Sequence, residues 1–225
     1  MPERDDAAFL GIMEQAARYN DWLVERCIPH LGPRVLDFGA GSGTFVRALA
    51  AHCEELVAVE PAAEPFAELR RRAEGLPNVR AVQVLPGDER FDAIVCLNVL
   101  EHLDDDVATL RDLRGCLTQD GRLLVLVPAH PPLFGPLDRS VGHRRRYTKA
   151  ALRAVLERAD FRVRDLRLVN PLGALGWLVA GRLAGRAAIP GAPLRVYDRV
   201  VPLVRRLDRV DLPVGLSAWA VAAPA

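Results

Sequence analysis

A carboxylate followed by three alternating glycines is the first feature of this chain that suggests chemistry. Asp37 closes an apolar run, and Gly39, Gly41 and Gly43 follow it before a helical pattern begins. Glycines adopt backbone angles that a Cβ forbids, and they let a ligand lie directly against the main chain. The sequence therefore predicts a nucleotide-type site in this turn, with Ala40 as a further contact.

Two kinds of nucleotide fit a glycine turn, and the neighbouring residues distinguish them. A dinucleotide fingerprint has its third glycine where this chain has Thr44. A pyrophosphate would also be repelled by a carboxylate at Asp37, whereas a cationic ligand would be attracted to it. The residues favour a site for a cationic, phosphate-free nucleoside. The alternative is a dinucleotide site, which would make the protein a nicotinamide-dependent oxidoreductase.

The segment DFGAGSG at residues 37–43 resembles motif I of the class I S-adenosylmethionine-dependent methyltransferases. That cofactor carries an ammonium and a sulfonium and no phosphate, which accounts for an acid before the turn. The resemblance implies that Glu60, at the end of the next strand, accepts hydrogen bonds from both ribose hydroxyls, with Pro61 beside it. A carboxylate suits this role because its two oxygens match a vicinal diol.

The segment 91–102 resembles motif IV of the same enzymes, with an apolar strand followed by Asn98 and then the triplet Leu-Glu-His. The resemblance places Asn98 at the methionine end of the cofactor. His102 is a candidate base, with a local packing role as the alternative. In related methyltransferases an aromatic residue of the first helix covers the methionine portion, and Tyr19 is our choice for that position. An aromatic core position is equally consistent with Tyr19.

The segment LDRSVGHRRRYT at residues 137–148 concentrates ionisable groups after a strand end that faces the predicted crevice. His143 is a candidate general base because an imidazole exchanges protons near neutral pH. Tyr147 is a candidate to hold or deprotonate an acceptor. His130, which follows the strand directly, borders the same cleft as a candidate substrate contact.

Arg145 and Arg146 are candidates to bind an acceptor carboxylate or phosphate, since a guanidinium offers parallel donors. The alternative is an ion-pair cluster in which Asp138 and one arginine lock a lid. The segment also resembles an L-D-R-x-x-G-H-x-R-R-Y signature of bacterial small-molecule methyltransferases, some encoded near glycan or natural-product pathways. This resemblance implies methylation of a small natural product or of a glycan or lipid-linked intermediate. A same-fold enzyme that uses the cofactor for ring closure is a further alternative.

A parallel sheet is needed to bring these residues together. Apolar strands alternate with helical patterns, which predicts a doubly wound α/β fold. The predicted strands are 34–38, 56–60, 79–85, 91–97, 122–127, 162–169 and 216–222. With the resemblance, they imply a mostly parallel seven-stranded, Rossmann-like methyltransferase sheet. Ligands bind beyond the carboxyl ends of such strands, so Asp37, Glu60 and Asn98 should share one crevice.

The 225 residues fit a single domain. We expect a helical cap at 1–30, a cofactor-binding core at 31–128, and a substrate-side loop, helical insertion and closing strands at 129–225. The insertion, residues 170–213, is rich in arginine and is predicted to form amphipathic helices interrupted by Pro190, Pro193 and Pro202. We interpret the insertion as a substrate lid or a homodimer face, with peripheral membrane contact toward a lipid-linked substrate as the alternative.

Charge and cysteine content limit the partners. A formal net charge of +1 argues against a nucleic acid held by bulk electrostatics. The four cysteines are scattered without a C-x-x-C pair, which predicts reduced thiols in a cytoplasmic protein and no metal site. The acidic run at residues 104–106 is interpreted as a helix N-terminus instead of a metal site.

Overall fold

The computed structural model describes residues 16–177, 191–207 and 212–225, and seven strands of these residues form one sheet. The strands are β1 (Arg34–Phe38), β2 (Glu55–Val59), β3 (Val79–Val82), β4 (Phe91–Leu97), β5 (Leu117–Pro128), β6 (Phe161–Val169) and β7 (Ser217–Pro224). Their order across the sheet is β3-β2-β1-β4-β5-β7-β6. The first five strands pair in parallel, and β7 runs antiparallel to both β5 and β6. The predicted fold class is confirmed.

Helices cover both faces of the sheet, which explains why its central strands are continuous apolar runs. The helices are α1 (Ala17–Cys27), α2 (Val46–Ala50), α3 (Ala63–Ala73), α4 (Asp106–Gly115), α5 (Pro136–Ser140), α6 (Lys149–Arg158), α7 (Pro171–Trp177) and α8 (Gly191–Leu207). One face packs against α4 and α6, and the other packs against α1, α2, α3 and α8. None of the helices described is both long enough and apolar enough to cross a bilayer.

Short polar side chains fix where two of these helices begin. Asp105 accepts a hydrogen bond from the Ala108 N–H at 2.9 Å at the start of α4, and Thr148 accepts one from the Ala151 N–H at 3.0 Å at the start of α6. Such caps satisfy N–H groups that have no partner within the helix. The acidic run at 104–106 therefore caps a helix, as the sequence predicts.

Three strands end in a residue with left-handed backbone. The φ angles are 56° at Asn98 after β4, 59° at His130 after β5 and 66° at Asn170 after β6. Asparagine and histidine are among the side chains that tolerate this region best. The chain consequently turns sharply at the same edge of the sheet three times.

The structure corrects two predicted strand boundaries: β3 ends at Val82 instead of residue 85, and β5 begins at Leu117 instead of residue 122. The part of the predicted first helix before residue 16 lies outside the described residues, as do Pro190 and parts of the insertion. Pro193 and Pro202 lie inside α8 and do not break it. Pro193 is in the first turn, where its missing N–H has no helical partner, and Pro202 removes a single hydrogen bond. The loop after β5 contains the short helix α5.

Candidate active site

The glycine turn between β1 and α2 has left-handed backbone at all three glycines. The φ angles are 74° at Gly39, 56° at Gly41 and 87° at Gly43. The N–H groups of Gly39 and Ala40 both donate to the Val59 carbonyl at 2.9 Å, and the Gly43 N–H donates to the Ala40 carbonyl at 2.9 Å. These donors bind protein oxygens, so they are not directed at a phosphate.

Gly39 also allows a close approach between two parts of the crevice. A Cβ at this position would lie 2.5 Å from Cγ2 of Val99, in the segment that follows β4. A substitution would therefore add a steric overlap to the strain of a positive φ. The turn that follows β1 and the segment that follows β4 are packed directly against each other.

Glu60 closes the turn from the end of β2. Its side chain is largely buried, with Oε2 accepting from the Gly41 N–H at 3.0 Å and Oε1 from the Ala62 N–H at 2.8 Å. An ionised carboxylate has about four lone-pair sites, so about two are left for a ligand. Pro61, next in the chain, is exposed.

Asp37 lies behind the turn and is 3% exposed. Its Oδ2 is buried and has no hydrogen-bond partner among the described residues. Burial, with a smaller contribution from the Glu60 charge, raises the pKa of Asp37 to about 7. An unsatisfied buried acceptor costs roughly 1–3 kcal/mol, so a cationic ligand that reached Asp37 would relieve a large local penalty.

His143 is held by carboxylates on both sides. Its Nδ1 lies 3.0 Å from Asp138 Oδ1, and its Nε2 lies 3.7 Å from Glu101 Oε1. The His143 side chain is 10% exposed and both carboxylates are fully buried. A hydrogen bond from Nδ1–H to Asp138 would fix the ring orientation and leave Nε2 directed at Glu101.

Glu101 lies directly after β4, and neither of its carboxylate oxygens has a hydrogen-bond partner in the part of the chain described. Burial raises the pKa of Glu101 to about 8. Burial also raises the pKa of the Cys96 thiol, with further contributions from the charges of Glu101 and Asp37. Glu101, which lies beside His143, and Asp37, which precedes the glycine turn, therefore both act on Cys96 and belong to one electrostatic environment.

His102 packs edge-on against His143, with ring centroids 4.9 Å apart. Burial, followed by the charge of His143, lowers the pKa of His102 to about 4, against a hydrogen bond with the Gly142 backbone that raises it. An imidazole with such a low pKa is a weak proton acceptor. This environment favours the alternative of a local packing role for His102, and its role as a base stays a prediction.

Arg146 is buried, and its contacts are internal. Its Nε donates to Asp138 Oδ1 at 2.7 Å and its Nη1 donates to the Ala129 carbonyl at 3.0 Å. The guanidinium side chain is 1% exposed. These contacts match the alternative of an Asp–Arg pair that holds the segment, and the substrate-binding role of Arg146 stays a prediction.

Tyr147 and Arg145 both bind Asp106, at the start of α4. The Tyr147 hydroxyl donates to Asp106 Oδ2 at 2.7 Å and lies 3.2 Å from the Leu100 carbonyl. Arg145 Nη1 donates to the same carboxylate oxygen at 3.2 Å, and Nη2 donates to the Leu103 carbonyl at 2.8 Å. Burial raises the pKa of Tyr147, followed by its hydrogen bond to Asp106. Both contact sets lie within the protein, while the catalytic role of Tyr147 and the substrate role of Arg145 stay predictions.

Three other predicted residues differ in how far they reach solvent. Asn98 is exposed at the end of β4, and His130 is half-buried with Nε2 lacking a partner among the described residues. Tyr19 is 6% exposed and packs on Trp22, and its backbone N–H donates to Asp198 Oδ1 at 3.1 Å. Tyr19 thus links α1 to α8 and belongs to the same apolar cluster as Ala40.

Glu101 and Asp138 are the residues that sequence reasoning did not select for the site. A signal existed for Glu101, because it follows the apolar residues Val99 and Leu100, and a carboxylate in apolar surroundings is expensive to bury. The sequence suggests Asp138 only as a partner of an arginine. Its second role, orienting His143, depends on a contact five residues along the chain that α5 creates.

A substitution of Tyr147 with phenylalanine separates the structural role from the catalytic one. We expect Tyr147→Phe to lower the free energy of unfolding by about 1–2 kcal/mol, because it removes a buried hydrogen bond to a carboxylate. Urea denaturation followed by circular dichroism measures this change. A large loss of turnover at unchanged stability would instead support the catalytic role.

Comparison with known proteins places this geometry in a family context. Residues 12–166 match the model of a family described as "Methyltransferase domain". The "Uncharacterized methyltransferase YcgJ" of Bacillus subtilis (strain 168) is 34% identical over 117 residues, covering 49% of this chain and 46% of that protein. The crystal structure of YcgJ is similar with a TM-score of 0.61 at 20% identity, covering 89% of this chain and 97% of that one.

Two further similarities concern acceptor and cofactor. A "tRNA U34 carboxymethyltransferase" of Aeromonas hydrophila subsp. hydrophila is 30% identical over 172 residues, covering 67% of this chain and 52% of that protein. A structure described as "DhpI-SAH complex" is similar with a TM-score of 0.62 at 18% identity, covering 98% of this chain and 89% of that one. The chain spans about half the length of the two sequence relatives. The structural likenesses concern the fold.

Proposed function

The chain belongs to the methyltransferase domain family, and from this membership we propose that it transfers a methyl group from S-adenosylmethionine to a small-molecule acceptor. The buried, unsatisfied Asp37 beneath the glycine turn is the observation that carries the cofactor assignment. When bound, S-adenosylmethionine supplies a methyl group on an already activated sulfonium. The protein then has to align the acceptor, exclude water and manage the acceptor's proton.

The residues around the turn fit this cofactor better than a dinucleotide. Asp37 offers a buried negative charge to the ammonium or sulfonium, and Glu60 retains lone pairs for the ribose hydroxyls. The turn N–H groups that a pyrophosphate would need donate to protein oxygens. We assign Asn98 and Tyr19 to the methionine end, and Ala40 and Pro61 to the sides of the nucleoside.

The acceptor end is proposed to lie at His143. As an acceptor hydroxyl gains the methyl group its proton must leave, and Nε2 of His143 is available to take it. Asp138 supports this role by holding Nδ1 at 3.0 Å, which fixes the ring and stabilises the imidazolium. Arg146 and the backbone of Gly135 hold Asp138 in turn.

A small acceptor is proposed over a nucleic acid. The A. hydrophila relative is named for action on tRNA, but this chain carries a formal net charge of only +1. Binding of a polyanion by bulk electrostatics requires an excess of basic residues. Incubation with labelled cofactor and either unmodified tRNA or a hydroxyl-bearing small-molecule library tests this choice. Methyl incorporation into tRNA alone would contradict it.

Glu60→Ala tests the cofactor assignment directly. We expect S-adenosylhomocysteine to bind at least about tenfold more weakly, because hydrogen bonds to charged groups contribute roughly 1.5–3 kcal/mol. Calorimetric titration measures the change, with Glu64→Ala, an exposed acid on α3, as the matched control. Unchanged affinity in Glu60→Ala, or binding of NAD by the unmodified protein, would contradict the assignment.

The raised pKa of Asp37 predicts a pH dependence of cofactor binding. The ammonium and sulfonium favour the ionised carboxylate, so affinity should increase as pH rises through about 7 and become constant above it. Without ligand the same shift works against folding, since stability falls as pH rises from 3.8 towards about 7. Titrations across this range should show the increase, and Asp37→Asn should abolish it. The same pH dependence in the variant would assign it to another group.

A further inference from the structure

Three side chains at the acceptor end bring metal-binding atoms together. One ligand atom each from Glu101, His102 and His143 lies within 4.8 Å of the others. Two imidazoles and a carboxylate form a ligand set that binds Zn²⁺ and other first-row divalent ions. The three side chains come from two separate segments, one after β4 and one before α6, so chain proximity alone does not explain their convergence.

Glu101 provides an independent indication that a ligand belongs here. Its side chain is 0% exposed, and both of its oxygens lack a hydrogen-bond partner among the residues described. The charged groups around Glu101 donate no hydrogen bond to it: Asp138 is also an acid, Arg146 attracts Glu101 by its charge but donates its Nε to Asp138, and His143 Nε2 lies 3.7 Å from Oε1. A buried carboxylate without donors is expected to be paired or to coordinate a metal.

The orientation of His143 matches that of a metal ligand. Metal-binding histidines commonly donate their second N–H to a carboxylate, and Nδ1 of His143 lies 3.0 Å from Asp138. Nε2 then lies 3.7 Å from Glu101 Oε1, beyond a hydrogen bond. Two atoms about 2.1 Å from one tetrahedral ion are about 3.4 Å apart, so this pair needs only a small adjustment. The three ligand atoms, which lie within 4.8 Å of one another, would have to move closer together to bind one ion.

We propose that Glu101, His102 and His143 bind one divalent first-row transition metal ion, with an open coordination position for an acceptor oxygen. This proposal departs from the sequence-based expectation of no metal site. It rests on the proposed function and deepens it, because it restricts the acceptor to molecules with a hydroxyl oxygen that can coordinate the ion. A metal-bound hydroxyl loses its proton more easily. The proton passes to solvent water, and the oxygen forms the new bond to the methyl carbon as the sulfur–methyl bond breaks and its electron pair returns to sulfur, which releases S-adenosylhomocysteine. Nε2 of His143 coordinates the ion in this arrangement instead of taking the proton itself.

The test uses the full chain, freed of any affinity tag, dialysed against a chelator and titrated with Co²⁺ and Zn²⁺. We expect one ion per chain, with visible Co²⁺ absorption bands that Zn²⁺ displaces. Glu101→Gln and His143→Ala should each weaken binding at least tenfold. The matched controls Glu54→Gln and His52→Ala change exposed residues outside the cluster and should bind as the unmodified protein does.

Binding of S-adenosylhomocysteine to every variant distinguishes the two proposals. Cofactor binding with no metal uptake by the unmodified protein overturns the metal site and leaves the proposed function intact. Equal metal affinity in Glu101→Gln and the unmodified protein also overturns it. If His143→Ala does not fold, the nearly isosteric Glu101→Gln still decides. If the unmodified protein does not bind S-adenosylhomocysteine, that result contradicts the proposed function itself.

Discussion

Replacing Asp138 with alanine is expected to lower the free energy of unfolding by about 3–5 kcal/mol. The Asp138 carboxylate is fully buried and receives hydrogen bonds from Arg146 Nε at 2.7 Å and from the Gly135 N–H at 2.9 Å. Its removal leaves the Arg146 guanidinium, 1% exposed, without the anion that balances its charge. Burial of an uncompensated charge is among the largest effects a single substitution can have. Urea denaturation measures the loss.

Two further variants show whether the ion pair causes that loss. The exposed pair Arg153–Glu157, 3.6 Å apart on α6, provides the control, and Glu157→Ala should change stability by at most about 0.5 kcal/mol. The double variant Asp138→Ala, Arg146→Met should recover much of the stability, because it removes both charges. If the double variant is no more stable than Asp138→Ala, the loss reflects packing instead of charge.

Replacing His143 with alanine is expected to reduce turnover by about 10²-fold or more. The imidazole is held by Asp138 and directed at Glu101, so its loss removes the group that activates the acceptor, directly or through an ion. Cofactor affinity should change little, because Asp37 and Glu60 are untouched. Single-turnover kinetics, together with calorimetry on S-adenosylhomocysteine, measures the two effects separately.

The exposed His52 supplies a matched control for that experiment. His52→Ala removes an imidazole at the end of α2, and both turnover and cofactor affinity should stay at their original values. Equal turnover in His143→Ala would show that this residue activates no acceptor. A parallel loss of cofactor affinity and turnover would instead place His143 in the cofactor pocket.

The glycine turn shows what the sequence could predict. Asp37, the three glycines and Glu60 are encoded within a short stretch, and their local pattern dictates both the turn and its acidity. The parallel sheet could be predicted for the same reason, since its strands alternate with helices along the chain. The position of β4 follows directly from its largely apolar run.

The segment 137–148 shows why the rest could not be predicted. Its residues are polar throughout, so no periodicity indicates which side chains face inward. Arg146 and Tyr147 are buried because they pair with Asp138 and Asp106, and the second of these lies 41 residues away. A motif that looks like a row of substrate contacts therefore consists largely of contacts that hold the segment in place. Only the three-dimensional pairing separates His143 from its neighbours.

The position of β7 has a consequence for the order in which the chain can assemble. Strand β7 follows all the others in sequence, yet it lies between β5 and β6 and pairs with both. As the polypeptide leaves the ribosome, β1 to β5 can pair as each new strand emerges, because each joins a strand already made. Among the described strands β6 pairs only with β7, so it must wait until the final strand has been synthesised. The part of the sheet formed by β1 to β5, which leads into the glycine turn, can thus form during translation. Strand β6 joins the sheet only after β7 has been made.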